Sequence, residues 1–182
     1  MKTIQAKLAL AALPALLCLC GTAGAAELKV LSQGLPAASY TGSRKPVSDA
    51  AAPEKAFDGA RETGWCVGPA YPAALTVDLG DNYNVIKVMS FMEKPHVWYS
   101  YIIEVSPDQK AWSVFADQTK NQEPSEDPAY TDMGGVTGRY VRITLTDVAE
   151  KAKSWFWPVI MEFQVYGVPV ENPAEKPVEK TP

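Results

Sequence analysis

This 182-residue chain has a single histidine, His96, and only three cysteines. Two of those cysteines, Cys18 and Cys20, lie in an apolar stretch near the N-terminus. Once that stretch is removed, Cys66 stands alone and no disulfide can form within the chain. Nucleophilic catalysis needs a nucleophile beside a base that a third group orients. No G-x-S-x-G elbow marks such a pairing for Cys66 and His96. A sustained helical period is missing after the first 25 residues, and so is any internal repeat. Acidic residues are plentiful enough for a paired-carboxylate glycosidase. Asp78 and Glu104, however, fall in strand-like stretches, and most other acids fall in loops or the tail. An enzyme is not expected.

The N-terminus has the layout of a secretory signal. Lys2 and Lys7 give a short basic start, "LALAALPALLCLC" (Leu8 to Cys20) an apolar run, and "TAGA" (Thr22 to Ala25) small residues that suit cleavage before Ala26. The apolar run is short for a membrane span. Leu17 and Leu19 stand where a lipobox would carry a small residue, which argues against lipid attachment. Residues 1–25 therefore predict secretion, to the periplasm or the exterior. Their loss takes the basic residues from 17 to 15 against 21 acidic ones, a net charge of −6. That balance argues against nucleic acid and anionic lipid as partners. "VPVENPAEKPVEKTP" (Val168 to Pro182) has almost nothing to bury and reads as a solvated tail. Residues 26–167 remain, a natural size for one domain.

Within that domain the apolar segments are short and rich in Val, Ile, Thr and aromatics. They are "AALTVDLG" (Ala73 to Gly80), "NVIKVMSF" (Asn84 to Phe91), "YSYIIEVS" (Tyr99 to Ser106), "AWSVFAD" (Ala111 to Asp117), "RYVRITLT" (Arg139 to Thr146) and "PVIMEFQVYG" (Pro158 to Gly167). Val141, Ile143 and Leu145 alternate with Arg142, Thr144 and Thr146, as in a half-buried strand. "LGDN", "SPDQK" and "MGGVTG" punctuate the segments as turns. "TDVAEKAK" (Thr146 to Lys153) has room for one helical turn. The pattern predicts an all-β, antiparallel sandwich or jelly roll in a single domain.

Four segments, in order, resemble the discoidin family, also called coagulation factor 5/8 type C domains, with its bacterial carbohydrate-binding, galactose-binding-like relatives. "AFDGARETGW" is similar to the family's Ile-Asp-Gly-x-x-x-Thr-x-Trp turn. "LTVDLGDNYNVIKV" is similar to its Val-Asp-Leu-Gly strand and the strand that follows. "YIIEVSPDQKAWSVF" is similar to its Ser-x-Asp-Gly-x-x-Trp hairpin, with Gln109 where Gly is usual. "GRYVRITL" with "MEFQVYG" is similar to its last strand pair. Together they span Ala56 to Gly167. The resemblance implies a jelly-roll sandwich with Trp65 and Trp112 packed in its core.

The resemblance also implies a structural calcium ion at the "KAFDGARET" turn. Carried over, Asp58 supplies a carboxylate, Thr63 its hydroxyl and carbonyl, Ala60 a backbone carbonyl, and Glu162 closes the site from the last strand. Ala60 and Arg61 stand where relatives often carry polar or acidic residues, and Arg61 adds positive charge. The residues alone fit an Asx-type turn capped by Asp58 equally well.

Ligands of sandwich folds tend to sit on end loops held by rigid sheets. Three such loops here are aromatic: "CVGPAYPAA" (Cys66 to Ala74), "EKPHVWYS" (Glu93 to Ser100) and "EKAKSWFWP" (Glu150 to Pro158). Sugar rings want a flat apolar face rimmed by hydrogen-bonding groups. Tyr71, Lys94, His96, Trp98 and Trp155 are the candidate ligand-binding residues. Of Trp155 and Trp157, one is expected to turn inward. The expected function is a secreted, non-catalytic glycan-binding module. A protein-adhesion or envelope-assembly module, using the same loops on a polypeptide, is the alternative. Phospholipid binding, as in the blood-clotting relatives, is disfavoured by the acidic charge.

Overall fold

The computed structural model describes residues 28–42, 48–124, 129–150 and 157–170. The expected signal segment and Trp155 lie outside the described residues, as does the tail from residue 171. The eight strands are β1 (Lys29–Val30), β2 (Ala37–Tyr40), β3 (Trp65–Cys66), β4 (Ala73–Met92), β5 (Tyr99–Ser106), β6 (Ser113–Gln118), β7 (Ala129–Val148) and β8 (Val159–Pro169). Two 3₁₀ turns, Asp49–Ala51 and Pro53–Phe57, precede β3. All pairings are antiparallel, in the order β1-β8-β4-β7-β5-β6, with β2 beside β4 and β3 beside β8. This is the single-domain, antiparallel β-sandwich expected from the pattern.

The alternation explains the packing. Leu75 and Val77 of β4 face Ile143 and Val141 of β7, which face Ile103 and Val105 of β5. These six side chains are almost wholly buried in the core, with Trp65, Leu145, Phe163 and Val165. Each such burial contributes about 1.5–3 kcal/mol. Arg142, Thr144 and Thr146 take the other face, as the sequence predicts.

Three features differ from the sequence reading. The segments expected as two strands, Ala73–Gly80 and Asn84–Phe91, form one 20-residue strand, β4. Its ladder with β7 shifts register between Asp78 and Tyr83, where Gly80 takes a φ of 84° that side chains disfavour. Thr146 to Val148 continue β7 rather than turning helical. Trp112 is not in the core. It lies half-buried just before β6, with the Arg142 guanidinium 3.9 Å from its ring centroid and its indole N–H donating to the Gln109 carbonyl at 3.1 Å. The tight 106–112 turn delivers the ring to the polar face of the sheet, where a cation covers it.

Strand β8 runs on to Pro169, opposite Tyr83. Its last residues also pair with β1, with Lys29 opposite Gly167 and Val30 opposite Tyr166.

Candidate functional site

Several connections gather at one end of the sandwich. The Val67 N–H donates to the Pro158 carbonyl at 2.8 Å, and the Glu93 N–H to the Val159 carbonyl at 3.1 Å. The Ala149 N–H donates to the Trp98 carbonyl at 3.1 Å. Backbone bonds thus tie the three aromatic loops together. A fourth segment, 119–124, joins them from β6. Asn121 donates its side-chain amide to the Tyr99 carbonyl at 3.1 Å, and the Ser100 hydroxyl donates to the Asn121 carbonyl at 3.0 Å.

The side chains at this end divide into buried polar groups and exposed ones. Tyr71 is half-buried, and burial raises its phenol above the ordinary range, with the Asp147 carboxylate and Cys66 nearby adding to the shift. Tyr99 is buried and is raised chiefly by that burial. The Lys94 backbone bond opposes the rise, while Glu93 and Tyr71 add to it. Both phenols therefore keep their protons at neutral pH and can donate as well as accept. Lys94 pairs with Glu93 at 2.6 Å, and each side chain is about one-third exposed. Such a pair adds little stability, but it presents ammonium and carboxylate together. His96 is exposed on the 93–98 turn and Trp98 is half-buried. Trp157, the described tryptophan of its loop, is 40% exposed.

The structure therefore brings Tyr71 and Lys94 into one neighbourhood through Tyr99, with His96 and Trp98 on the same turn as Lys94. The sequence reading did not place Tyr99, Asp147, Asn121 or Trp157 among the candidate ligand-binding residues. Tyr99 reads as the first residue of a strand, and Asn121 carries no local signal. Trp157 was visible, but its direction was not.

The Asp58 turn forms a second cluster. Pro53–Phe57 ends on Asp58, whose carboxylate accepts the Ala60 N–H at 2.9 Å and the Thr63 hydroxyl at 2.8 Å. Lys55 lies 3.2 Å from the same carboxylate. Burial pushes the Asp58 carboxyl upward, but Thr63, the Ala60 amide and Lys55 together hold it below its ordinary value. The Thr63 hydroxyl is also 3.4 Å from the Ala60 carbonyl. From β8, Glu162 accepts the Gly59 N–H at 2.5 Å. Glu162 is 2% exposed. Burial, with the Asp58 carboxylate adding to it, pushes its carboxyl up to about 7 against the pull of the Gly59 amide. Gly64 lets the turn press onto β8, since a Cβ there would meet the Ile160 carbonyl oxygen at 2.7 Å.

All four residues carried over from the family turn thus converge, although Glu162 is 104 positions from Asp58. Their oxygens are hard donors of the kind calcium takes: two carboxylates, a hydroxyl and a carbonyl. Among the described residues no group of three or more His, Cys, Asp or Glu is clustered, so neutral oxygens would share the load. Arg61 stacks 3.8 Å from the centroid of Phe91, the register partner of Glu162. Its charge still acts to lower the Glu162 carboxyl.

The family model of the F5/8 type C domain matches residues 37–163. No curated protein sequence matches the chain. Among solved structures it is similar to chitosan-binding module 1 of a chitosanase/glucanase from Paenibacillus sp. IK-5. The identity is 24% and the TM-score 0.63, over 76% of this chain and 99% of that one. It is also similar to the Clostridium perfringens module CpGH89CBM32-4, solved in complex with GlcNAc-α-1,4-galactose. There the identity is 18% and the TM-score 0.63, over 79% and 97% of the two chains. A third is the family 32 carbohydrate-binding module of C. perfringens NanJ, solved in complex with galactose. It shows 19% identity and a TM-score of 0.61, over 77% and 99%. At these identities the likeness is one of fold.

Proposed function

Because the chain belongs to the F5/8 type C domain family, we propose that it is a secreted, non-catalytic module that binds glycans weakly and reversibly through its loop end. The observation that carries this reading is the grouping at that end. The half-buried Tyr71 phenol, an ammonium–carboxylate pair and an exposed indole lie on loops tied to one another. A flat apolar face with hydrogen-bonding groups around it is what a sugar ring requires. The carboxylates there already have partners: Glu93 holds Lys94, and Asp147 accepts the Val148 N–H at 2.8 Å. Three relatives support the ligand class, being a chitosan-binding module and two modules solved with galactose-containing sugars.

The family turn supports a structural role for calcium. Asp58, Glu162, the Thr63 hydroxyl and the Ala60 carbonyl would hold the ion, which would offset two neighbouring carboxylates in a buried corner. Its role there would be to brace the turn against β8.

A glycan array tests the reading, followed by titration with galactose, GlcNAc-α-1,4-galactose and chitosan oligomers watched by tryptophan fluorescence. Saturable quenching, weakened by Trp98→Ala or His96→Ala, is expected. No response to any sugar, with both variants silent, sinks it. Capture of an envelope protein that free sugars do not displace would favour a polypeptide ligand instead.

A further inference from the structure

We propose that Tyr99 is a positioning residue for ligand recognition, clamping the 93–98 turn into the shape that the loop end presents. This rests on the glycan reading above. The Tyr99 hydroxyl meets both polar backbone groups of one residue: it accepts the Lys94 N–H and donates to the Lys94 carbonyl, each at 3.3 Å. The same carbonyl accepts the Val97 N–H at 3.0 Å and so closes the turn. Lys94 and His96 project from this turn, and Trp98 ends it.

Tyr99 is itself fixed from three sides. It is 3% exposed within the core cluster, it pairs with Val148 across the β5–β7 ladder, and its carbonyl accepts the Asn121 side chain. A rigid phenol therefore carries the geometry of the core out to a turn whose own backbone bonds are few. Preorganising a binding loop in this way raises affinity without touching the ligand, by lowering the cost of ordering it.

The test is Tyr99→Phe, which removes only the hydroxyl. Ser100→Ala is the matched control, since it deletes a comparable bond one residue away that goes to the 119–124 segment. For Tyr99→Phe, affinity for GlcNAc-α-1,4-galactose should fall about five- to tenfold, the net worth of the two long hydrogen bonds its hydroxyl makes. Amide exchange at Lys94 and Val97 should accelerate while exchange at Leu31, bonded to the Val165 carbonyl in the core, stays unchanged. Ser100→Ala should do neither. Unchanged affinity in Tyr99→Phe, equal losses in the two variants, or faster exchange throughout the core would each overturn the clamp. If the wild type binds no sugar, the glycan reading fails and the clamp stands or falls on Lys94 and Val97 exchange alone.

Discussion

The Arg139 guanidinium grips the Asp78 carboxylate side-on, with Nε and Nη2 donating to the two oxygens at 2.6 and 2.7 Å. The pair bridges β4 and β7 beside the register shift at Gly80, whose N–H also donates to Asp78 at 2.8 Å. The Arg139 bonds come first, and with the Gly80 amide they hold the Asp78 carboxyl below its ordinary value despite partial burial. An acid with a lowered folded pKa contributes stability above its unfolded pKa and loses it as pH falls through the folded value. Asp78→Asn should therefore weaken the protein in urea melts at pH 7, and the difference should shrink in acid, as pH falls through the lowered folded value. An equal difference at neutral and acid pH would exclude the carboxylate's charge as the cause. Solvent exposure of both side chains keeps the effect modest.

Gln109 is in the left-handed region at φ 62°, and among the described residues it is the non-glycine residue with a positive φ. The hairpin accepts the strain because Ser106 and Asp108 collect four backbone N–H groups around it, at 2.9 to 3.2 Å. Gln109→Gly should stabilise the fold by about 0.5–1 kcal/mol, relief of side-chain strain outweighing the added chain entropy. A chemical-denaturation midpoint that fails to rise would show the strain is already relieved by those bonds.

Calcium should raise the thermal midpoint relative to protein in EDTA. At about a hundredfold excess over Kd the gain is roughly 2.7 kcal/mol, or several degrees for a domain of this size. Glu162→Gln should abolish most of that gain, because it removes the buried charge that the cation would balance. Identical melts with and without EDTA would remove calcium from the account.

Trp157→Ala should weaken glycan binding by about tenfold, the worth of an aromatic contact, with little change in melting temperature. An exposed side chain leaves no cavity behind. Unchanged affinity by fluorescence or calorimetry would exclude Trp157 from the sugar platform.

The core was legible wherever one face of a strand is apolar and the other polar. Val141, Ile143 and Leu145 could be placed from alternation alone, because a one-residue slip would turn all three to water. Trp112 was misplaced because a tryptophan at a motif position does not say which face its turn will aim it toward. The Asp58 turn could be read locally, but Glu162 could be linked to it only through family likeness, since no periodicity joins residues so far apart in sequence. The clamp at Lys94 was hidden for a related reason. Tyr99 looks like any inward strand aromatic, and only the return of the 93–98 turn over it gives its hydroxyl a purpose. Trp155, named from its aromatic loop, lies outside the described residues.

Strand β8 leaves the loop end at Val159 and runs 11 residues to Pro169, about 35 Å of extended chain at roughly 3.3 Å per residue. It finishes beside Lys29, so the two ends of the folded unit emerge as neighbours. Anything attached before Leu28 or after Val170 shares one handle, and the loops proposed to bind glycan form the opposite tip. A bulky fusion at either terminus should leave ligand access untouched, and a short bridge between the termini would let the chain be reopened elsewhere with the same architecture.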